Sequence, residues 1–208
     1  MSRFEFQPGD TLAVSGVSPR SRVIRVSTAA FTRGISHVAI ISRGKGGELS
    51  WWESSDNTDT CDCITSKRIT GVGCYSIVDR FIEEREKGNT VWRYRLTNPL
   101  TEVETERLDA WLRSQHGKPY DCKEAIRARI FGGGTLRRLL FRRKENNLRS
   151  LFCAELNYAA LRWIGVFYGG VASDWAPAPF CRFLELTGVA RPEWIQGPFQ
   201  YWGRKVER

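Results

Sequence analysis

The chain has 208 residues, 41% of them hydrophobic, and a formal charge of +9 at neutral pH. Such a composition suits one globular domain with insertions, and no internal repeat or low-complexity linker interrupts it. No apolar run approaches the roughly 20 residues needed to span a bilayer. Met1–Asp10 is polar, with Arg3, Glu5 and Asp10, unlike a secretory signal. A soluble cytoplasmic protein is therefore expected.

In chain order, Gln7-Pro8-Gly9-Asp10 is a turn and Thr11–Val14 a short strand. Ser21–Phe31 places Val23, Ile24, Ala30 and Phe31 among arginines and is read as a short helix. His37–Ser42 is a β-branched run typical of a buried strand. Glycines and a lysine at 44–47 form a hairpin turn, with Glu48–Ser54 as the returning strand. Cys61–Ile69 and Gly71–Val78 read as further strand and loop, Ile77–Lys87 as a charged helix and Thr90–Leu96 as a strand.

Thr101 with Glu104 forms a capping box for a helix through Gln115, closed by Gly117. Asp121 with Glu124 repeats the device for a helix to about Ile130. Thr135–Lys144 is a short basic amphipathic segment. Ser150 is the predicted N-cap of a helix to about Ile164, with Leu156, Ala159, Ala160 and Trp163 as its buried stripe. From Val171 onward, Trp and Pro suggest a tail wrapping the surface. The expected fold class is α+β: a small antiparallel sheet packed against the helix that carries Cys153.

The charge is uneven. Between Lys123 and Arg149 lie nine basic residues against two acidic ones, which is +7 of the total +9. Such a patch speaks of an acidic partner or surface rather than of fold. Arg137, Arg138, Arg142 and Arg143 beside Leu136, Leu139, Leu140 and Phe141 suit an anionic membrane surface. A helix with an apolar core side and a solvated basic face fits equally well. No nucleic-acid-binding motif accompanies the basic run, which argues against that partner.

Cys153 and His37 carry the chemistry. A thiol in the first turn of a helix sits where the dipole favours negative charge, and an imidazole on a nearby strand is suited to take its proton. The Cys153 backbone N–H is a candidate oxyanion donor. Glu53 lies on the partner strand, roughly 5 Å away, where it is suited to hold the second imidazole nitrogen. Each residue also has a structural reading: Cys153 as a small buried hydrophobe, His37 as a satisfied core residue, Glu53 as an exposed strand end. Only two histidines exist, and His116 is explained by its place beside Gly117. A Cys–His enzyme would therefore use His37. Six cysteines in an apparently unsecreted chain are expected to be reduced. Cys61-x-Cys63 with Cys74 lacks the usual two-residue metal spacing, so loop or edge strand is preferred there to a metal site.

Gly9-Asp10-Thr11-Leu12, Ser36-His37-Val38-Ala39-Ile40, Tyr120-Asp121-Cys122 and Phe152-Cys153-Ala154-Glu155-Leu156 together resemble the circularly permuted papain-like amidases. These are the permuted branch of the NlpC-like cysteine hydrolases, with the YiiX-like bacterial proteins and a relation to lecithin:retinol acyltransferase. The likeness covers roughly residues 7–165, with long unmatched stretches, and its specificity lies in the order of the set.

It implies one permuted papain-like domain over 1–208, with the basic 132–149 stretch as an insertion and a tail from about 171. It implies Cys153 as nucleophile, His37 as base and Glu53 as the third, polar residue. Ser50 on the same strand is the alternative for that position. Tyr120 and Ser36 are implied to line the substrate site. The implied reaction is attack on an amide, ester or thioester through an acyl-enzyme, on a lipid-linked or cell-wall peptide or an acyl chain, without metal or organic cofactor. The rival reading is a non-catalytic basic module on the same scaffold that contacts nucleic acid or an anionic membrane.

Overall fold

Apolar residues that alternate along the strands make a sheet with two buried faces, and a computed structural model shows how it is assembled. It describes residues 5–19, 21, 34–56, 58–121, 149–172 and 175–195. Strands β1 (Thr11–Ser15), β2 (His37–Arg43), β3 (Leu49–Ser55) and β4 (Gly71–Ser76) form a meander. Helix α1 (Ile77–Glu86) follows, and β5 (Thr90–Leu96) then pairs with the free side of β1. Helices α2 (Glu102–Gln115), α3 (Cys153–Trp163) and α4 (Pro177–Leu186) precede the last strand, β6 (Ala190–Trp194). The six strands lie in the order β4-β3-β2-β1-β5-β6, every pairing antiparallel.

The two faces differ in depth. Ala13, Val38, Ile40, Trp52, Cys74 and Tyr94 belong to the main core, which they share with Leu108 and Leu112 of α2, Leu156 and Leu161 of α3, and Phe180 of α4. Leu12, Val14, Ala39, Ile41, Trp51 and Tyr75 point the other way and meet Phe81 of α1 in a smaller core. Period-2 alternation thus decides which strand residues face α1 and which face the other three helices.

Several expectations hold closely. The Thr101–Glu104 capping box makes both of its reciprocal bonds, and Gly117 follows at φ 75°, beyond the helix end. Others are corrected. Ser150 is not the N-cap of α3. Its hydroxyl donates to Asp121 Oδ2 at 2.7 Å, and Leu151 bridges to Tyr120, which keeps the chain extended through Phe152. The helix therefore begins at Cys153 itself. Trp163 is 56% exposed rather than part of a buried stripe; Tyr158 and Leu161 are buried instead.

The supposed surface tail is integral: α4 opens with Pro177 at its first turn, where a missing N–H costs nothing, and β6 extends the sheet. Pro192 is tolerated because β6 is an edge strand. The proposed 21–31 helix, the 121–130 helix and the basic 132–149 segment fall almost wholly on residues 22–33 and 122–148, outside the described residues. Among the described residues no helix is long and apolar enough to cross a membrane.

Candidate active site

His37 is the first residue of β2 and stands opposite Val14 in the β1 register, so its Cβ faces the α1 side of the sheet. Glu53 shares that side, two residues beyond Trp51 on β3. The two meet: His37 Nε2 and Glu53 Oε2 lie 2.7 Å apart. Glu53 is no exposed strand end but wholly buried.

A buried carboxylate is costly unless its oxygens are engaged, and here both are. Trp51 Nε1 donates to Oε2 at 2.7 Å; Arg80 of α1 donates through Nε to Oε1 at 3.1 Å and through Nη2 to Oε2 at 3.3 Å. Burial alone would raise Glu53, but the Arg80 guanidinium and then the imidazole outweigh it and lower its pKa to about 2. Across β4, Gly73 stands opposite Glu53, and its missing side chain leaves the space that the Tyr75 phenol occupies.

Cys153 is the first residue of α3. Its N-cap, Phe152, has no side chain able to satisfy the free N–H groups of the opening turn. The imidazole of His37 is influenced both by the Cys153 sulfur and by the Glu53 carboxylate that it bonds. Burial disfavours its charged form, yet the sulfur first and the carboxylate second hold it protonated well above the ordinary histidine range. With Nε2 turned to Glu53, Nδ1 is the ring nitrogen that this carboxylate leaves unengaged. Cys153 is 4% exposed and the His37 side chain 22%, so solvent meets the pair on the imidazole side.

The remaining predicted residues each have partners of their own. Ser50 pairs with Ser42 and Ser76 and shares Trp52's face, opposite to that of Glu53; its hydroxyl donates to the Glu48 carbonyl. The face alternation places it away from Glu53's contact with His37. The Ser36 hydroxyl is held in the main chain, accepting from Gly16 N–H and donating to the Val14 carbonyl. Tyr120 is half-buried against the main core and bridges Leu151, two residues before Cys153. His116 caps the end of α2, with its ring Nε2 3.0 Å from Asp62 Oδ1.

Sequence reasoning missed Arg80 and the role of Trp51. Arg80 followed by Glu83 and Glu84 is ordinary helix-surface spacing, and nothing local says that this arginine is buried. Burial pushes Cys74 up to about 12 and also raises Cys63.

Cys61 and Cys63 are exposed whereas Cys74 is buried. Among the described residues no group of three or more His, Cys, Asp or Glu side chains is placed to hold a metal. Glu53 and Asp62, the acids beside the two histidines, already accept several N–H bonds each, so these pairs do not fit a metal either.

No protein-family model matches the chain, and no curated protein matches its sequence. Among solved structures it is similar to the crystal structure of YiiX from Escherichia coli O157:H7, described as a metalloprotein. The match has 17% identity and a TM-score of 0.50, over 77% of this chain and 67% of that one. At that identity the likeness is one of fold alone. This chain's own architecture is α+β, built on a six-stranded antiparallel sheet.

Proposed function

We propose that the chain is a cysteine hydrolase or acyltransferase of permuted papain-like type, acting on an amide, ester or thioester carbonyl. One arrangement carries this reading: the His37 imidazole bonds the buried, ionised Glu53 at 2.7 Å, and the Cys153 sulfur acts on the same imidazole. With the proton of the pair held on His37 Nδ1, the Cys153 thiolate attacks the carbonyl carbon. The resulting oxyanion is stabilised by the Cys153 N–H at the uncapped start of α3. Collapse expels an amine, alcohol or thiol, which takes its proton from His37 and leaves a thioester on Cys153. Water or an acceptor amine, deprotonated by His37, then releases the acyl group and restores the thiolate. Glu53 keeps Nε2–H in place and balances the imidazolium charge.

The carbonyl approaches past His37, the more exposed partner. Its donor is a peptide or an acyl chain, and the basic 123–149 stretch suits an acidic or lipid-linked one.

The test is alkylation by a chloroacetamide probe, read residue by residue in a mass spectrometer. Cys153 is expected to react about 100-fold faster than exposed Cys61 and Cys63, and His37→Ala is expected to erase that lead. Labelling that simply follows exposure would overturn the catalytic reading in favour of a basic binding module.

A further inference from the structure

We infer that Arg80 is a positioning residue for the catalytic pair: its guanidinium sets the Glu53 carboxylate in the one orientation that meets His37, and ties that orientation to the loop after β3. The inference rests on the catalytic reading above. Arg80 lies on α1, 2% exposed, on the opposite side of the sheet from the core that packs α3. Its Nε and Nη2 take both oxygens of Glu53, so the carboxylate cannot rotate without breaking a bond on each. Trp51 Nε1 and His37 Nε2 share the remaining capacity of Oε2. The guanidinium also lies over the Trp51 ring, 5.3 Å from its centroid, which fixes the indole that donates to Glu53.

On its far side Arg80 Nη2 reaches Glu84 at 2.6 Å and Nη1 reaches Glu83 at 2.8 Å. Glu83 in turn accepts from the backbone N–H groups of Asp59 and Thr60 and from the hydroxyls of Thr58 and Thr60. One arginine therefore links the 58–60 loop to the carboxylate behind the base. A lone carboxylate in this place would be driven toward its neutral form, which donates rather than accepts toward Nε2.

The charged and titratable groups facing Glu53 are His37 on β2, Tyr75 on β4 and Arg80 on α1, with Glu83 and Glu84 behind Arg80. Arg80 is the largest of the influences that keep Glu53 ionised. A planar fork can hold two oxygens at once; a point charge cannot.

The test uses the full chain with labelled glutamate carboxyl carbons, and Arg80→Met beside Arg80→Lys. In the parent protein Glu53 is expected to show no titration above about pH 4, where an ordinary glutamate begins to protonate. In Arg80→Met it is expected to titrate above that point. The acid limb of Cys153 alkylation is expected to move up with it by about one pH unit, and the neutral-pH rate to fall about 10-fold. Arg80→Lys is expected to restore the limb but only part of the rate.

An unmoved Glu53 titration and an unmoved limb in folded Arg80→Met would overturn the inference. Should that variant not fold, Arg80→Met/Glu84→Gln, which removes one stranded carboxylate, is judged by the same two readings. The carboxyl titration needs no activity. Failure of Cys153 to react preferentially in the parent protein would thus defeat the catalytic reading, while the titration still decides whether Arg80 holds Glu53.

Discussion

The chain has two histidines, and each turns its Nε2 to a fully buried carboxylate: His37 to Glu53 at 2.7 Å, His116 to Asp62 at 3.0 Å. The contacts look alike, but their surroundings differ. Asp62 is held mainly by backbone dipoles, accepting from the N–H groups of Cys74, Ile64 and Thr65. Glu53 is held by an arginine, an indole and an imidazole. The second flank of His116 is the edge-on ring of Trp52, 6.3 Å between centroids; that of His37 is the Cys153 sulfur. A histidine–carboxylate bond by itself fastens one segment to another. It becomes a proton-handling device only when the free ring nitrogen faces a group that can give up a proton.

Truncation should separate the two pairs most strongly. Glu53→Ala leaves Arg80 buried with only Glu83 and Glu84 as partners and leaves Trp51 Nε1 without its acceptor. Removing one member of such a buried ionic network costs about 3 kcal/mol, or about 10 °C in a thermal melt of a chain this size. A melt within about 2 °C of the parent would mean that the Arg80 network does not need Glu53.

Acid should sharpen the same contrast. Glu53 has a folded pKa lowered to about 2, so its contribution is complete above the unfolded value and disappears as pH falls toward 2. The shift corresponds to about 3 kcal/mol. Asp62 is lowered too, burial opposing and the Cys74 N–H leading the influences that favour its charge, so its sign is the same. Asp10 acts the other way: burial raises it to about 6, and its contribution fades as pH rises from about 4. Urea unfolding at several pH values, taken as parent minus Glu53→Gln, cancels Asp10. That difference is expected to shrink steadily below about pH 4.5. A difference flat down to pH 3 would show that Glu53 is not held ionised by folding.

How much of this was readable in the residues depends on range. β5 and the Thr101-capped helix follow from signals within one turn or one alternation, and both match the structure over their full length. The β2–β3 hairpin is local as well, so the meeting of His37 with Glu53 could be inferred from a turn and a strand spacing. The start of α3 is not legible locally: Ser150 is an excellent cap by type, yet its hydroxyl is claimed by Asp121, far away in sequence. The α4–β6 unit is hidden because prolines resemble coil unless the first helical turn and the edge strand are known in advance. Arg80 stayed hidden for the same reason. Its burial is a consequence of which sheet face α1 covers, and no spacing along the chain encodes that.

The gentlest comparison is His116→Gln. The glutamine amide can replace one N–H donor to Asp62, and three backbone donors to that carboxylate remain. The loss is then mostly of the imidazole's fit against Trp52, worth about 1 kcal/mol in chemical unfolding. Because the influences that raise His37 are Cys153 and Glu53, the pH profile of Cys153 alkylation should stay within about twofold of the parent at every pH, small beside the effect of a general base. A displaced profile would mean that the two histidines are coupled through Trp52 and β3, and that the contrast between a fastening pair and a proton-handling pair is one of degree.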